Sequence, residues 1–502
     1  MAAKFPNVRI YAYMDDVTLT AHDPKELTAA FLWFRDQCRP LGLEFNAKKC
    51  EWFGGPVPEE LAVEGVLHAG GCIKILGAYI GDIEAIRTKL LAKLDKHDVL
   101  FQRLKKMGPG SAQYAMLLKC ALPRHGFQLR EHDPDTVLHS AEAFDQRVLD
   151  VAVVWFDLHV GDDLSLLRLP TRSSGLGLVA TTDLRHHAYN DSVWDALDKL
   201  KFHRPPTEQK PPSQRTASSL MYEVRLAELK EVASPAVLQL IELNALPGAS
   251  RWLTACTSWM PAHCFAHVFR LKGHLASTRL ASSAVCPGCP QLGPKSQKDF
   301  AIHVHGCTRV PHPHNATGAH NRLRDKLAKM GNDNAVPCSI EPKGYQKYTC
   351  GTCGAILEGP DVDKSVRTHD RSCKAKLYRS GVDVEGWLGH LHFLLDVTVA
   401  HLLCDTYRGK SAGNVVATKV AGKVAKYVGS GMIPAEEFRV DVAVSTGGFD
   451  PGLVVFLQHF AEAANLPFDG LVSDIANTVM WAQGASIEAA FKLAARARAI
   501  ET

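Results

Sequence analysis

Tyr11-Ala12-Tyr13-Met14-Asp15-Asp16 is the stretch on which the reading of this chain turns. Short apolar runs flank it, residues 8–12 before and 17–19 after, so a tight hairpin is predicted with Asp15 and Asp16 at its tip. Paired carboxylates at such a tip concentrate negative charge that a bound cation offsets. Mg2+ held this way, with phosphate oxygens completing its shell, is the working part of nucleotidyl transfer. An Asp-Asp pair by itself is common in ordinary turns, so the neighbouring sequence has to decide.

Downstream stand Leu43-Glu44-Phe45-Asn46-Ala47-Lys48-Lys49-Cys50-Glu51-Trp52-Phe53 and then Ile73-Lys74-Ile75-Leu76-Gly77-Ala78-Tyr79-Ile80-Gly81. In this order and spacing, the three stretches together resemble the palm of a reverse transcriptase. The resemblance implies that Asp15 and Asp16 are polymerase carboxylates and that Lys49 contacts nucleic acid. It also implies that Leu76-Gly77 form a primer grip, where backbone approaches the primer end. The family has a further metal-binding Asp on an upstream strand, and a fingers subdomain before it. Only residues 1–10 precede the hairpin, and none is acidic. The expectation is a polymerase remnant, inactive as a lone polypeptide, with an upstream polypeptide supplying the missing palm and fingers.

A chain of 502 residues has room for about three or four domains. Its hydrophobic fraction of 46% and charged fraction of 22% are ordinary for globular proteins, and the net charge of +4 does not by itself argue for nucleic acid. Local charge says more. Residues 87–106 carry seven Lys/Arg against two Asp, in a helical pattern that turns Leu90, Leu91, Leu94, Leu100, Phe101 and Leu104 inward. A basic helix of this kind suits a thumb lying along a duplex backbone, with Lys89, Lys93, Lys105 and Lys106 on phosphates. The plain alternative is a solvated helix face. Fourteen cysteines occur without a secretory signal, since Met1-Ala2-Ala3-Lys4-Phe5-Pro6 opens no apolar core, and no apolar run is long enough for a bilayer. The expectation is a soluble intracellular protein of nucleus or cytoplasm, not secreted, whose cysteines are free or metal-bound.

The predicted fold is α+β and multidomain. Residues 1–83 read as a partial palm, strand-rich with one helix over 24–41, and 84–202 as a helical thumb and connection. Leu169-Pro170 followed by Gly175-Leu176-Gly177-Leu178 breaks those helices; it resembles retroelement polymerase architecture and lacks the strand-to-helix glycine fingerprint of a dinucleotide site. Residues 203–216, with Pro205, Pro206, Pro211 and Pro212, read as a linker. A helical region (217–285), a zinc-cluster region (286–378), an α/β restriction-endonuclease-like domain (379–485) and an alanine-rich helix (486–502) follow.

Two cysteine–histidine clusters have the spacing of structural Zn2+ sites. Cys286-Pro287-Gly288-Cys289 is followed by His303, His305 and Cys307, and Cys350-Gly351-Thr352-Cys353 by His369 and Cys373. Each Cys-x-x-Cys pair offers two adjacent corners of a tetrahedron, and a later His and Cys fill the others, closing the site to catalysis. In the first cluster spacing does not separate His303 from His305, and His312 and His314 add candidates.

Farther on, Val382-Asp383-Val384 reads as a strand end and Phe393-Leu394-Leu395-Asp396-Val397-Thr398-Val399 as a buried strand. Paired strands would bring Asp383 and Asp396 together over one Mg2+. Lys419, Lys423 and Lys426 share a helix face, where a lysine can steady an attacking water or a leaving phosphate. Residues 438–444 supply another strand. The arrangement resembles the restriction-like endonuclease of site-specific non-LTR retrotransposons. In that family a Cys-Cys-His-Cys cluster precedes an acidic pair and a Lys-Tyr, matched here by Cys286, Cys289, His303 and Cys307, by Asp383 and Asp396, and by Lys426-Tyr427. Departures are Arg379-Ser380-Gly381-Val382-Asp383 in place of Arg-Pro-Asp, the second cysteine cluster, and Thr398 where simpler nucleases carry a lysine. The resulting expectation is the C-terminal portion of a retroelement protein that binds DNA and RNA and nicks DNA with Mg2+. The alternative is a non-enzymatic, zinc-stabilised nucleic-acid-binding protein or a retroelement relic.

Overall fold

The computed structural model describes residues 3–159, 161–200, 211–255, 259–307, 309–310, 316–342, 345–350, 356–358, 377–407, 409–429 and 431–501. The fold is mixed α+β, and its contacts divide it into two compact units. In chain order the first elements are β1 (Arg9–Tyr13), β2 (Asp16–Thr20), α1 (Pro24–Cys38), β3 (Glu51–Trp52), α2 (Glu59–Glu64), β4 (Leu67–His68), β5 (Cys72–Ile75) and β6 (Ala78–Gly81). Helices α3 (Ile83–Met107), α4 (Ser111–Met116), α5 (Gly126–Glu131), α6 (Pro134–Phe156), α7 (Ser165–Arg168), α8 (Thr181–Lys199), α9 (Gln214–Val232), α10 (Pro235–Ala245) and α11 (Ala262–Gly273) follow.

One unit comprises Met1–Leu100, Pro123–Arg147 and Ala180–Ser218. In it β1 and β2 form an antiparallel hairpin closed by Tyr13 opposite Asp16, with Met14 in the left-handed region at φ 53°. Asp23 caps α1 by accepting from Lys25 N at 3.0 Å, and Pro24 starts the first turn without losing a needed N–H. The second helix here, α2, departs from the single helix expected over residues 1–83; Pro58 precedes it and Gly65 ends it at φ 93°. The core gathers Cys72, Ile86, Leu90, Leu129, Val137, Ala141 and Ala188. Buried Asp145 accepts from the backbone N–H groups of Thr181 (2.7 Å) and Thr182 (3.0 Å), satisfying the start of α8. Leu91, expected inward on the basic helix, is instead 41% exposed: Leu90 and Leu94 fill the buried stripe and leave it flanking.

The other unit comprises Phe101–Leu122, Val148–Val179 and Ser219–Thr502, so residues 84–202, read as one thumb region, contribute to both units. Its later elements are β7 (Ser283–Val285), β8 (Pro294–Ser296), α12 (Gln297–Gly306), α13 (Ala316–Asp333), β9 (Cys338–Ile340), β10 (Gln346–Cys350), β11 (Ile356–Glu358) and β12 (Leu377–Gly381). They continue with β13 (Val384–Leu388), β14 (Leu391–Ala400), α14 (Ala412–Tyr427), β15 (Phe438–Val444), α15 (Pro451–Ala463) and α16 (Phe468–Glu501). The main sheet runs β15-β14-β13-β9. Strands β13 and β14 are an antiparallel hairpin turning at Gly389 (φ 62°), β9 joins antiparallel, and β15 lies parallel to β14 after the α14 crossover. A second antiparallel sheet runs β11-β10-β12. Leu240, Phe300, Val304, Val442, Val444, Ile487 and Phe491 share one core with Cys286, Cys289 and Cys307.

Three boundaries differ from the sequence reading. The linker ends earlier: Ser213 accepts from Thr216 N at 3.3 Å and caps α9, so 214–216 are helical, while 203–210 lie outside the described residues. The alanine-rich segment is not a separate helix, because α16 runs unbroken from Phe468. Gly484 within it serves a close approach, since a Cβ there would meet the Cys264 backbone at 2.5 Å. The glycines after Leu169-Pro170 are likewise structural: a Cβ on Gly175 would lie 2.0 Å from Leu169 O, and Tyr114 Oη donates to Leu176 O at 2.7 Å. Among the described residues no helix is long and apolar enough to cross a membrane.

Candidate functional site: a carboxylate–lysine cluster and a cysteine–histidine centre

The β13–β14 hairpin explains how two acidic residues thirteen positions apart become neighbours. Val384 pairs with Leu395 and Asp383 N donates to Leu395 O at 2.9 Å, which sets Asp383 beside Asp396 at the mouth of the hairpin. The parallel β14–α14–β15 crossover lays α14 on the sheet face toward which Asp396 projects. From that helix Lys423 Nζ donates to both Asp396 carboxylate oxygens, at 2.8 and 2.9 Å. Asp396 is 1% exposed. Burial raises its pKa, Lys423 opposes the rise, and Asp383 adds to it.

Asp383 is also held. Its Oδ2 accepts from Val397 N at 2.8 Å, and its Oδ1 lies 3.2 Å from His320 Nε2 on α13. Sequence reasoning missed His320, which no motif marks. The next turn of the same helix sends Arg324 to Glu341 (2.6 Å), whose backbone N–H donates to Asp383 O at 2.9 Å. Tyr427 donates to Gly381 O at 2.9 Å, and burial, with Asp396 beside it, pushes its phenol far above the usual range.

The three lysines of the α14 face part company. Lys419 lies 5.3 Å over the Tyr407 ring, and Lys426 lies 3.1 Å from Tyr427 Oη and 4.6 Å over its ring. Of the two lysines expected to serve the carboxylates, Lys423 is bonded to Asp396, and Lys426 contacts Tyr427. Among the described residues, the buried Thr398 Oγ1 has no hydrogen-bond partner.

The first cysteine cluster is a ββα module made of β7, β8 and α12. Cys289 N donates to Cys286 O at 3.0 Å, forming the tight knuckle. Gly288 is required there because a Cβ would meet the Arg309 backbone at 2.5 Å. Helix α12, capped by Ser296, carries His303 in its last turn and delivers Cys307 just past its end. The ligand atoms of Cys286, Cys289, His303 and Cys307 all lie within 4.8 Å of one another. The Cys286–Cys307 and Cys289–Cys307 sulfur separations are 3.8 and 3.7 Å. A tetrahedron with Zn–S bonds of about 2.3 Å has edges of about 3.8 Å, so the donor set fits Zn2+ in spacing and in chemistry. Burial pushes the Cys286 thiol up to about 12 and raises that of Cys289, a setting in which thiolates need a bound cation. The structure also chooses between the histidines. His305 turns away, its Nε2 3.2 Å from Ser445 O, inside the core. Of the second cluster, Cys353, His369 and Cys373 lie outside the described residues, as does the Cys350 side chain.

Around the expected polymerase remnant, Asp15 and Asp16 are exposed at the hairpin tip. Lys49 is exposed on a short 3-10 turn, and Leu76-Gly77 form the turn between β5 and β6 at φ 48° and 95°. Along α3, Lys89 is exposed and Lys93 lies 5.6 Å over the Phe127 ring. Arg147 binds Asp95 (3.3 Å) and Asp98 (2.6 Å), which removes the two acids from the basic stretch. Lys105 departs from the expected phosphate-facing set: it pairs with Asp150 at 3.2 Å, whereas Lys106 is exposed.

No protein-family model matches the chain, and no curated protein matches it.

Proposed function

We propose that this chain derives from a retroelement protein and that its C-terminal region nicks DNA with the help of Mg2+. The observation that carries the reading is the Asp383–Asp396 pair with Lys423 Nζ 2.8 and 2.9 Å from the Asp396 oxygens. Support also comes from the order β13, β14, α14, β15, a hairpin followed by a return through a helix to a parallel strand. Two carboxylates on paired strands offer the hard oxygen donors that Mg2+ takes, and the ammonium on Asp396 is the positive charge such a site demands. Asp383 and Asp396 would hold the ion, and when bound it would lower the pKa of an attacking water and polarise a phosphate. Lys423 would assist that water, His320 and Val397 N would fix Asp383, and the cysteine–histidine centre would hold Zn2+ as a structural tie.

The N-terminal elements support the reverse-transcriptase ancestry by their surface. Strand β1 is exposed along its length, including Tyr11 and Tyr13, and an isolated two-stranded hairpin is marginal alone. An upstream polypeptide completing a palm would cover it, and DNA and RNA would be the partners of the whole.

The test is a plasmid-nicking assay on the purified chain with Mg2+, beside an Asp383→Ala/Asp396→Ala double variant. Relaxation of supercoiled plasmid by the wild type alone is the expected result. An intact plasmid with folded, zinc-replete wild type sinks the nuclease reading and favours a binding protein. For the palm, the expected outcome is no template-dependent nucleotide incorporation by this chain alone; incorporation abolished by Asp15→Ala would overturn it.

A further inference from the structure

Glu341 has a left-handed backbone at φ 52°, a conformation uncommon for a residue other than glycine. It stands just past β9, the three-residue strand at the edge of the main sheet. A strand so short frays unless something holds it. Helix α13 holds it at both ends. At the start, the Asn332 side chain donates to Cys338 O at 3.0 Å and accepts from Cys338 N at 2.8 Å. Past the end, Arg324 donates to Glu341 Oε1 at 2.6 Å, the two side chains being only 13% and 20% exposed. Arg324 also pairs with Asp325 at 2.7 Å. With its backbone turned this way, Glu341 N donates to Asp383 O at 2.9 Å. Asp383 is then held at all four of its polar atoms. Its N donates to Leu395 O at 2.9 Å, Oδ2 accepts from Val397 N at 2.8 Å, and Oδ1 lies 3.2 Å from His320 Nε2. His320 and Arg324 stand one turn apart on α13, so one helix reaches the carboxylate directly and the carbonyl through Glu341.

We infer that Arg324 is a positioning residue for Asp383. By gripping the Glu341 carboxylate it keeps the left-handed turn whose N–H fixes the Asp383 carbonyl, and so sets the divalent-cation affinity of the Asp383–Asp396 pair. The inference rests on the metal-binding reading of that pair. The ion pairs of Arg324 are with Glu341 and Asp325, so its effect on the pair travels through backbone geometry. Groups that orient a metal ligand carry much of a site's affinity without meeting the ion. Charge alone predicts the opposite sign, because a nearby guanidinium repels a cation and its removal would tighten binding. Geometry predicts that removal weakens it.

The test titrates Mn2+ into the full, zinc-replete chain and follows the free ion by electron paramagnetic resonance, with the Asp383→Ala/Asp396→Ala variant as the blank for other sites. Arg324→Ala is expected to weaken the site-dependent binding about tenfold. Glu341→Gly takes a positive φ without a clamp, so it is expected to bind close to wild type. The double variant Arg324→Ala/Glu341→Gly is expected to recover most of the loss, which a mere loss of packing at Arg324 would not allow. Hydrogen exchange at Val397, whose N–H is bonded to Asp383, is expected to follow the same order without metal, faster in Arg324→Ala and restored in the double variant. Equal or tighter Mn2+ binding by Arg324→Ala, or unchanged Val397 exchange, overturns the inference and leaves the nuclease reading in place. A double variant no better than Arg324→Ala does the same. So does a tenfold loss in Glu341→Gly, even where Arg324→Ala does not fold. Wild type that binds no more Mn2+ than the blank sinks the nuclease reading, and Val397 exchange then decides the positioning of Asp383 alone.

Discussion

Asp396 carries two demands that pull apart. As the proposed ligand of Mg2+ it would have to be ionised, yet burial at 1% exposure raises its pKa despite the two Lys423 hydrogen bonds. A carboxyl whose folded pKa exceeds its unfolded value adds stability below the unfolded pKa and loses it as pH rises through the folded one. At neutral pH the ionised group therefore costs stability. Asp396→Asn is expected to abolish nicking while raising stability at pH 7, by roughly 1 kcal/mol, the usual size of a gain at a functional site. Denaturant melts check this, and a lower midpoint for the variant shows that the Lys423 pair outweighs burial. Lys423→Ala works the other way. It leaves Asp396 buried without its cation and raises the pKa further, so the loss is small in acid and grows as pH rises. With Lys423 one-third exposed, water screens part of the effect, and a loss of about 1–2 kcal/mol at pH 7 is expected. A pH-independent loss would refute the linkage.

At the scale of elements, the cysteine–histidine module shows what local sequence can and cannot announce. The Cys286-x-x-Cys289 knuckle is legible because two thiolates at that spacing share a turn, and Gly288 between them answers to the Arg309 backbone. The choice of His303 over His305 is not legible. Residues two apart lie on different sides of a helix, and only the packing of α12 into the core decides which faces the thiolates. Likewise, periodicity aligns Lys419, Lys423 and Lys426 but not the turn that sits over Asp396, which depends on how α14 lies on β14. His320 reaches Asp383 across 63 residues of sequence, beyond any local signal. The Asp-Asp hairpin was legible from its flanking apolar runs, and the division of residues 84–202 between two units was not. Gly288→Ala is expected to destroy the knuckle and abolish metal binding, read by zinc content and by loss of the thiolate–cobalt absorbance on Co2+ loading. His303→Ala should remove the same signal and His305→Ala should keep it, although burial of His305 makes the latter less stable. Metal retained by His303→Ala but lost by His305→Ala would reverse the assignment.

For the molecule as a whole, the buried bases set the response to acid. In one unit, burial lowers the pKa of His125 to about 4, with His97, Lys93 and His132 adding repulsion. In the other, burial lowers His305 to about 3, His401 to about 4 and Lys272 to about 7. Lys272 donates to Ala249 O (2.6 Å) and Thr446 O (2.8 Å). Each is a base whose folded pKa lies below its unfolded one, so its neutral form is favoured in the fold. For the histidines, stability is complete above an unfolded pKa of about 6.5 and falls as pH drops toward 4, by up to ~1.4 kcal/mol per pH unit for each group. Lys272 extends the same slope upward, since its contribution is complete above about pH 10.4 and lost as pH falls to about 7. Asp396 and Asp450, both raised by burial, oppose the trend, as two carboxyls against several bases. Both units should therefore melt at lower temperature at pH 5 than at pH 8, followed by calorimetry with hydrogen exchange to separate them. His305→Gln keeps a donor near Ser445 O but cannot titrate, so it should flatten the acid limb even if it lowers the melting temperature throughout. Parallel acid limbs for wild type and His305→Gln would show that the histidine core does not govern acid stability.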